Sequence, residues 1–350
     1  MGRSHCCDKP CQANLTKYAG ATGKIQWQRA LFGEGFINGS FSAPNSPADV
    51  LSVVASTTAG VLWVTTVDHQ SGGDVPRLLL VDAATGQITK VVADCYPIGT
   101  TTADPSRRNI TPLSGGRCAV FARAVNSGTD RRVFVVDGDG IVSSNFTPSY
   151  NSVRPEYVSL QSLSDDTLIV AQDAGPSQQL LYDLSGSLLW TQTRTADLVD
   201  CRNSSDLSLA ILQGAFVTTG AALTLSPSTG ATVSSKSVTG GVQAGCVAGT
   251  GFALARATAN EILLCDSTLG TTATITANVT GGGAVLAGDT SRFAAACDRV
   301  RYYDTAGTQQ WSELVPSNGF TSIALDAAGD VYVGSVRGNV RTEGVTVNGF

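Results

Sequence analysis

Short apolar runs rich in Val, Leu, Ile, Ala and Tyr alternate along this chain with clusters of Gly, Asp, Asn, Ser and Thr. None of them sustains the 3.6-residue period of a surface helix. The stretch RYYDTAGTQQWSEL, Arg301 to Leu314, shows the unit most clearly. Tyr302 and Tyr303 give it the aromatic character of a strand. Asp304 is a residue that bonds its own backbone two positions on, and Gly307 tolerates the positive φ of a tight turn. Trp311 then places a large apolar body on the returning strand.

The unit recurs. LYDLSGSLLW carries Asp183, Gly186 and Trp190 at the same spacings, VDAATGQITKV is built around Asp82 and Gly86, and KYAGATGKIQW around Gly23 and Trp27. Weaker copies are VDGDGIV at Asp137 and Gly140, LSPSTGATV at Gly230, and CDSTLGTTATI at Asp266 and Gly270. Copies spaced roughly 40–60 residues apart are the signature of a β-propeller. Between the hairpins lie further β-rich runs such as LSVVAST, RCAVFARA, TLIVAQD, GFALARA and RFAAACD. Each unit therefore reads as an inner strand, a turn, a second strand, a loop and then the Asp/Gly hairpin.

The two ends complement each other. The first hairpin has no strands before it, and FTSIALDAAGDVYVG near the carboxyl terminus supplies two strands without a hairpin after them. Joined, they make one composite blade and leave no open edge. The expectation is an all-β, seven-bladed β-propeller closed by its termini, with an eighth blade if residues 336–350 pair separately. Residues 1–14 are expected to be an extended amino-terminal arm, and residues 15–350 a single propeller domain.

On these motifs the chain resembles the quinoprotein-like (PQQ-like) repeat propeller superfamily. The carriers are the hairpins of form D-x-x-G-x-x-x-W, the hairpin AGATGKIQW, and the carboxy-terminal IALDAAGDVYVG, which is similar to repeats of bacterial and phage propeller proteins. The resemblance implies a fold and not an activity, because turn chemistry and a packing Trp are all that these motifs encode. Only Trp27, Trp190 and Trp311 keep the repeat Trp.

Composition narrows the functional classes. Charged residues are 15% of 350, Lys is rare, and the net charge is −5, which excludes the basic footprint of a general nucleic-acid binder. No run of 18 apolar residues occurs, so no membrane span is expected, and the amino terminus has no apolar signal core. The chain is expected to be made and folded in a cytoplasm.

Candidate chemistry is sparse. No segment carries the calcium ligands, catalytic Asp and aromatic floor that a PQQ enzyme needs, and Gly-x-Ser-x-Gly is absent. The hairpin Asp residues read as turn caps before they read as catalytic carboxylates. Asp137-Gly138-Asp139-Gly140 resembles the start of a calcium loop but lacks the downstream Glu. His5, Cys6, Cys7 and Cys11 are the one local set of metal-ligand types. Their spacing departs from C-x2-C, so a structural zinc, a disulfide or intersubunit crosslink, and an arm without fixed structure all stay open. His69 lies in a polar stretch read as a loop. Cys118, Cys201, Cys246, Cys265 and Cys297 fall in or beside apolar strands as small hydrophobes, and Cys95 in or near a loop. Nine Cys cannot all pair within one chain.

The functional expectation is a non-enzymatic structural or interaction protein without cofactor. It is expected to work in several copies with other proteins of a larger assembly, as a component of a phage particle at a tail or capsid surface. Its location would then be the virion, assembled in the host cytoplasm, or else a bacterial cytoplasm. The alternatives are a scaffold of the outer-membrane-assembly type and a propeller enzyme of the lyase or glycan-acting kind.

Overall fold

A computed structural model describes residues 15–29, 31, 49–70, 73–93, 95–97, 109–124, 131–149, 158–163, 166–172, 177–194, 197–204, 207–213, 219–256, 259–278, 284–314 and 320–335. The expected arm, its His5/Cys6/Cys7/Cys11 set and residues 336–350 lie outside these.

The amino-terminal hairpin is β1 (Leu15–Tyr18) and β2 (Ile25–Arg29). The first complete sheet holds β3 (Asp49–Ala55), β4 (Val61–Gln70), β5 (Gly73–Asp82) and β6 (Ile88–Val92). The next holds β7 (Cys95–Pro97), β8 (Ile110–Pro112), β9 (Cys118–Ala124), β10 (Arg131–Val136) and β11 (Val142–Phe146). There follow the sheet of β12 (Val158–Ser162), β13 (Leu168–Gln172), β14 (Ser177–Tyr182) and β15 (Leu188–Arg194), and that of β16 (Asp197–Ser204), β17 (Leu207–Gln213), β18 (Thr219–Leu225) and β19 (Thr232–Thr239). After these come β20 (Val242–Ala248), β21 (Gly251–Arg256), β22 (Glu261–Cys265) and β23 (Thr271–Thr276), then β24 (Val285–Gly288), β25 (Arg292–Ala296), β26 (Arg299–Asp304) and β27 (Gln309–Leu314). The last pair is β28 (Phe320–Leu325) and β29 (Val331–Ser335).

The chain is an all-β propeller. A 3-10 turn at Ser114–Gly116 is the one helical element among the described residues, and none of their helices is long and apolar enough to cross a membrane. Innermost strands pack side by side around the ring, β3 on β8, β8 on β12, β12 on β16, β16 on β20, β20 on β24, β24 on β28, and β28 back on β3.

The expectation of seven blades, or eight, needs correction. Six sheets are regular four-stranded blades. The sheet of β7 to β11 departs from them because its inner edge is broken in two. Both β7 and β8 run antiparallel to β9, with Pro97 opposite Ala122 and Ile110 opposite Val120. Cys95, read as near a loop, is thus in a strand. His69 also lies in strand β4, its backbone opposite Asp74, and not in a loop.

Sequence dictates depth within a blade. The middle strands read GFALAR and EILLC and are buried almost throughout, as strands covered on both faces must be. The outer strand of the same sheet, TTATIT, keeps its Thr side chains at the surface. The period-2 alternation then serves two neighbours at once. In β9, Cys118, Val120 and Ala122 pack toward Trp63 and Leu80 of the preceding sheet, whereas Ala119 and Phe121 pack toward Leu160, Val170 and Leu180 of the following one. The core is therefore a series of apolar layers between sheets. Trp63, which has no place in the repeat hairpins, is fully buried in one such layer and donates its indole N–H to the Gly116 carbonyl at 3.2 Å.

The composite sheet runs β2-β1-β29-β28, so the two ends of the chain do meet in one blade. Leu15 stands opposite Gly334 and Tyr18 opposite Val331. Deleting residues 320–350 removes both carboxy-terminal strands of this blade and bares an edge of β1. The truncated chain should be insoluble on expression, and recovery of a soluble, cooperatively unfolding truncation would count against closure by the termini.

Candidate functional site

The best-defined constellation of polar side chains is the face that carries the hairpin turns. In four turns one Asp carboxylate oxygen accepts two backbone N–H groups. Asp137 bonds Asp139 and Ile141, Asp183 bonds Ser185 and Ser187, Asp266 bonds Thr268 and Gly270, and Asp304 bonds Ala306 and Thr308, all at 2.8–3.0 Å. Asp82 caps a turn one residue longer through the Thr85 N–H and hydroxyl, both at 2.7 Å. These bonds hold the Asp82, Asp183 and Asp266 carboxylates below their ordinary range. The leading cause is the neighbouring hydroxyl in each case, Thr85 for Asp82, Ser185 for Asp183 and Thr268 for Asp266.

Gly23, Gly86, Gly140, Gly186, Gly230 and Gly307 all take the positive φ of the turn. Gly270 does not. In its turn the left-handed residue is Leu269, at φ 66°, and Gly270 follows it. The reason is turn length, because Leu269 stands three residues after Asp266, as Gly140, Gly186 and Gly307 do after their Asp.

Each turn seats on the outer strand of the preceding sheet. Trp27 donates its indole N–H to the Ala83 carbonyl at 3.1 Å, Trp190 to Pro227 at 2.9 Å, and Trp311 to Gly20 at 2.6 Å. The turn glycine lies flat on each ring, so that a Cβ built at Gly86, Gly230 or Gly23 would come within 2.7–2.8 Å of it. Outer strands without a Trp dock by other means. Lys90 donates to the Asp139 carbonyl, Gly186 seats on Phe146, Lys236 donates to the Leu269 carbonyl at 3.1 Å, and Gly307 seats on Ile275. Trp311 is 9% exposed, while Trp27 and Trp190 are half-buried.

The inner turns of this face are also tied to one another. Thr57 donates to the Leu113 carbonyl at 2.7 Å, and Arg117 pairs with Asp166 at 2.6 Å. Arg292 reaches the carbonyls of Ala327 and Ala328. At the composite blade Lys17 pairs with Asp330 at 2.8 Å, with Lys17 only 9% exposed and its ammonium 5.4 Å from the centre of the Tyr332 ring. Asp330 also accepts the Gly20 N–H at 2.9 Å, and Tyr332 donates to Asp326 at 2.8 Å. Burial pushes the Tyr332 hydroxyl well above its ordinary range, so it remains a donor.

Away from this face, Arg301 forks onto Asp298 at 2.6 Å and onto the Cys297 sulfur at 3.0 Å. Burial raises the Cys297 thiol, which opposes its ionisation. Tyr303, stacked on Phe293, is pushed up to about 12, chiefly by burial. Cys118, Cys246 and Cys265 are buried. Among the described residues no group of three or more His, Cys, Asp or Glu side chains is placed to hold a metal ion.

No family model matches the sequence, and no curated protein matches it. Solved structures do resemble it in fold. One is the hydrazine synthase of Kuenenia stuttgartiensis, at 15% identity over 87% of this chain and 100% of that one, with a TM-score of 0.58. Another is the Pan2 WD40 domain of Neurospora crassa, at 8% identity over 84% and 91%, with a TM-score of 0.56. BamB of Moraxella catarrhalis covers 93% of this chain and 94% of its own at 15% identity, with a TM-score of 0.47. The likeness to the first two establishes the propeller fold.

Trp311→Ala should cost about 3–5 kcal/mol in urea unfolding, the range for a buried aromatic, and Trp190→Ala should cost less because its ring is half-exposed. Equal losses would show that exposure does not set the strength of docking. The turns of Asp82, Asp183 and Asp266 carry a second prediction. Their folded-state pKa is depressed, so their stabilisation is complete above the unfolded value of about 4 and is lost as pH falls through the folded value. The thermal midpoint should drop on acidification below about pH 4, and the triple variant D82N/D183N/D266N should flatten that drop. An unchanged acid profile in the triple variant would contradict it.

Proposed function

We propose that this chain is a non-enzymatic propeller scaffold that binds other proteins of a larger assembly, as a component of a phage particle. The observation that carries the reading is how the polar side chains of the turn face are used. Asp82, Asp137, Asp183, Asp266 and Asp304 cap their own turns, Lys90, Arg117, Lys236 and Arg292 join one blade to the next, and Lys17 ties the two halves of the composite blade together. Groups spent on rigidity in this way make a stiff platform, and a stiff platform lowers the cost of binding.

Attachment is assigned to the opposite face. Strand β1 begins and β29 ends beside each other at that end of the composite blade, with Leu15 opposite Gly334. Residues 1–14 therefore depart from the face away from the hairpin turns. At roughly 3.3 Å per residue they span about 45 Å when extended, enough to lie across a neighbouring subunit. Cys6, Cys7 and Cys11, with His5, would strengthen that contact through zinc or a disulfide.

Removing residues 2–14 should leave the propeller folded, by circular dichroism and thermal unfolding, and abolish incorporation into purified particles. Full occupancy of the truncated chain in particles would assign attachment to the propeller itself. A propeller found soluble and alone in cells that release particles would overturn the assembly reading.

A further inference from the structure

We propose that the amino-terminal hairpin, residues 15–29, is an exchangeable element that completes the composite blade of a second copy of this chain. The inference does not rest on the amino-terminal arm. It starts from topology. Every other regular sheet is made of consecutive strands, such as β3-β4-β5-β6, so its members cannot leave without breaking a sheet from within. The composite sheet alone contains a neighbour pair far apart in the chain, β1 beside β29.

The half-blade β28–β29, with the preceding sheet, forms a shaped acceptor for the hairpin. Backbone register fixes four pairs, from Leu15 opposite Gly334 to Tyr18 opposite Val331. Asp330 offers one oxygen to Lys17 at 2.8 Å and the other to the Gly20 N–H at 2.9 Å. Trp311 stacks on Tyr18 with ring centres 6.1 Å apart and donates to the Gly20 carbonyl. Gly20 lies so close to the Gly329 carbonyl that a Cβ there would overlap it. The acceptor thus reads the hairpin by charge, by ring stacking and by a required glycine.

All of these groups are present in every copy, so a hairpin from a neighbour would meet the same contacts. That is the condition for domain swapping. The tether does not forbid it, since residues 32–48 reach about 55 Å when extended at roughly 3.3 Å per residue, and Leu31, buried in one cluster with Leu15, would travel with the hairpin. Intrachain closure holds the advantage in dilute solution, because a tethered hairpin has an effective concentration in the millimolar range. Exchange therefore gains weight where copies are crowded. There it would link propellers through buried contacts without adding a new interface.

The test uses Thr16 and Val333, which stand opposite each other across β1 and β29. Chains carrying T16C are mixed with chains carrying V333C, equilibrated at increasing concentration, and oxidised with glutathione disulfide. A crosslinked heterodimer is expected, its fraction of total chain rising about tenfold for each tenfold in protein concentration while it remains the minor species. The double variant T16C/V333C must crosslink within one chain when dilute, which establishes that the pair is competent. Light scattering of the unsubstituted chain over the same range checks the result without any substitution, with dimer expected at the highest concentrations. No heterodimer at any concentration from variants whose double form crosslinks internally, or an unsubstituted chain that stays monomeric throughout, would overturn the proposal.

Discussion

A turn from one sheet seated on the outer strand of its neighbour is the interaction on which the rest of the propeller depends. Apolar layers between sheets supply the bulk of the driving force, but they are not directional, and layers of Ala, Leu and Ile such as that around Phe293 and Ala295 do not by themselves fix an angle between blades. Docking fixes it. An indole N–H has one favoured direction, and a glycine without a side chain lets the turn backbone lie flat on the ring. Trp190 over Gly230 has both features in one joint. Where the Trp is missing, Lys90 and Lys236 supply a donor and Phe146 and Ile275 supply the apolar seat.

The ring must also end, and it ends where docking is densest. Trp311, Gly20, Gly23, Lys17, Asp330 and Tyr332 all meet at the composite blade. The Lys17–Asp330 pair is largely removed from water, so each charge depends on the other, and on the Gly20 N–H, to offset its desolvation. Closure is thus specific as well as stabilising. The same specificity is what would let the hairpin recognise an identical acceptor in a second copy.

Much of this was legible in the sequence because turn chemistry is local. Asp183 and Gly186, or Asp304 and Gly307, announce a turn on their own, and the complementary half-blades at the two ends could be matched by inspection. Other features depend on partners distant in sequence. Trp63 is the most buried of the four Trp residues, yet it sits in no hairpin and bonds Gly116, 53 residues away. Leu269 holds a positive φ that composition assigns to the adjacent Gly270, because the position is set by its distance from Asp266 and not by residue preference. The broken inner edge at β7 and β8 was hidden for a similar reason. ITP is too short to show a strand period and is defined only by its pairing with β9. The docking roles of Lys90 and Lys236 leave no motif at all, since a Lys on an exposed strand is ordinary.

The central claim is that seating the first hairpin on the last blade holds the whole ring, and hydrogen exchange on Gly20→Ala tests it most directly. The added methyl group would overlap the Gly329 carbonyl and unseat the hairpin while leaving every apolar layer chemically intact. The account predicts that amides of β28 and β29 lose protection together with those of β1 and β2, and that the flanking sheets β3–β6 and β24–β27 follow. Loss of protection confined to residues 15–29, with the flanking sheets unchanged, would contradict it.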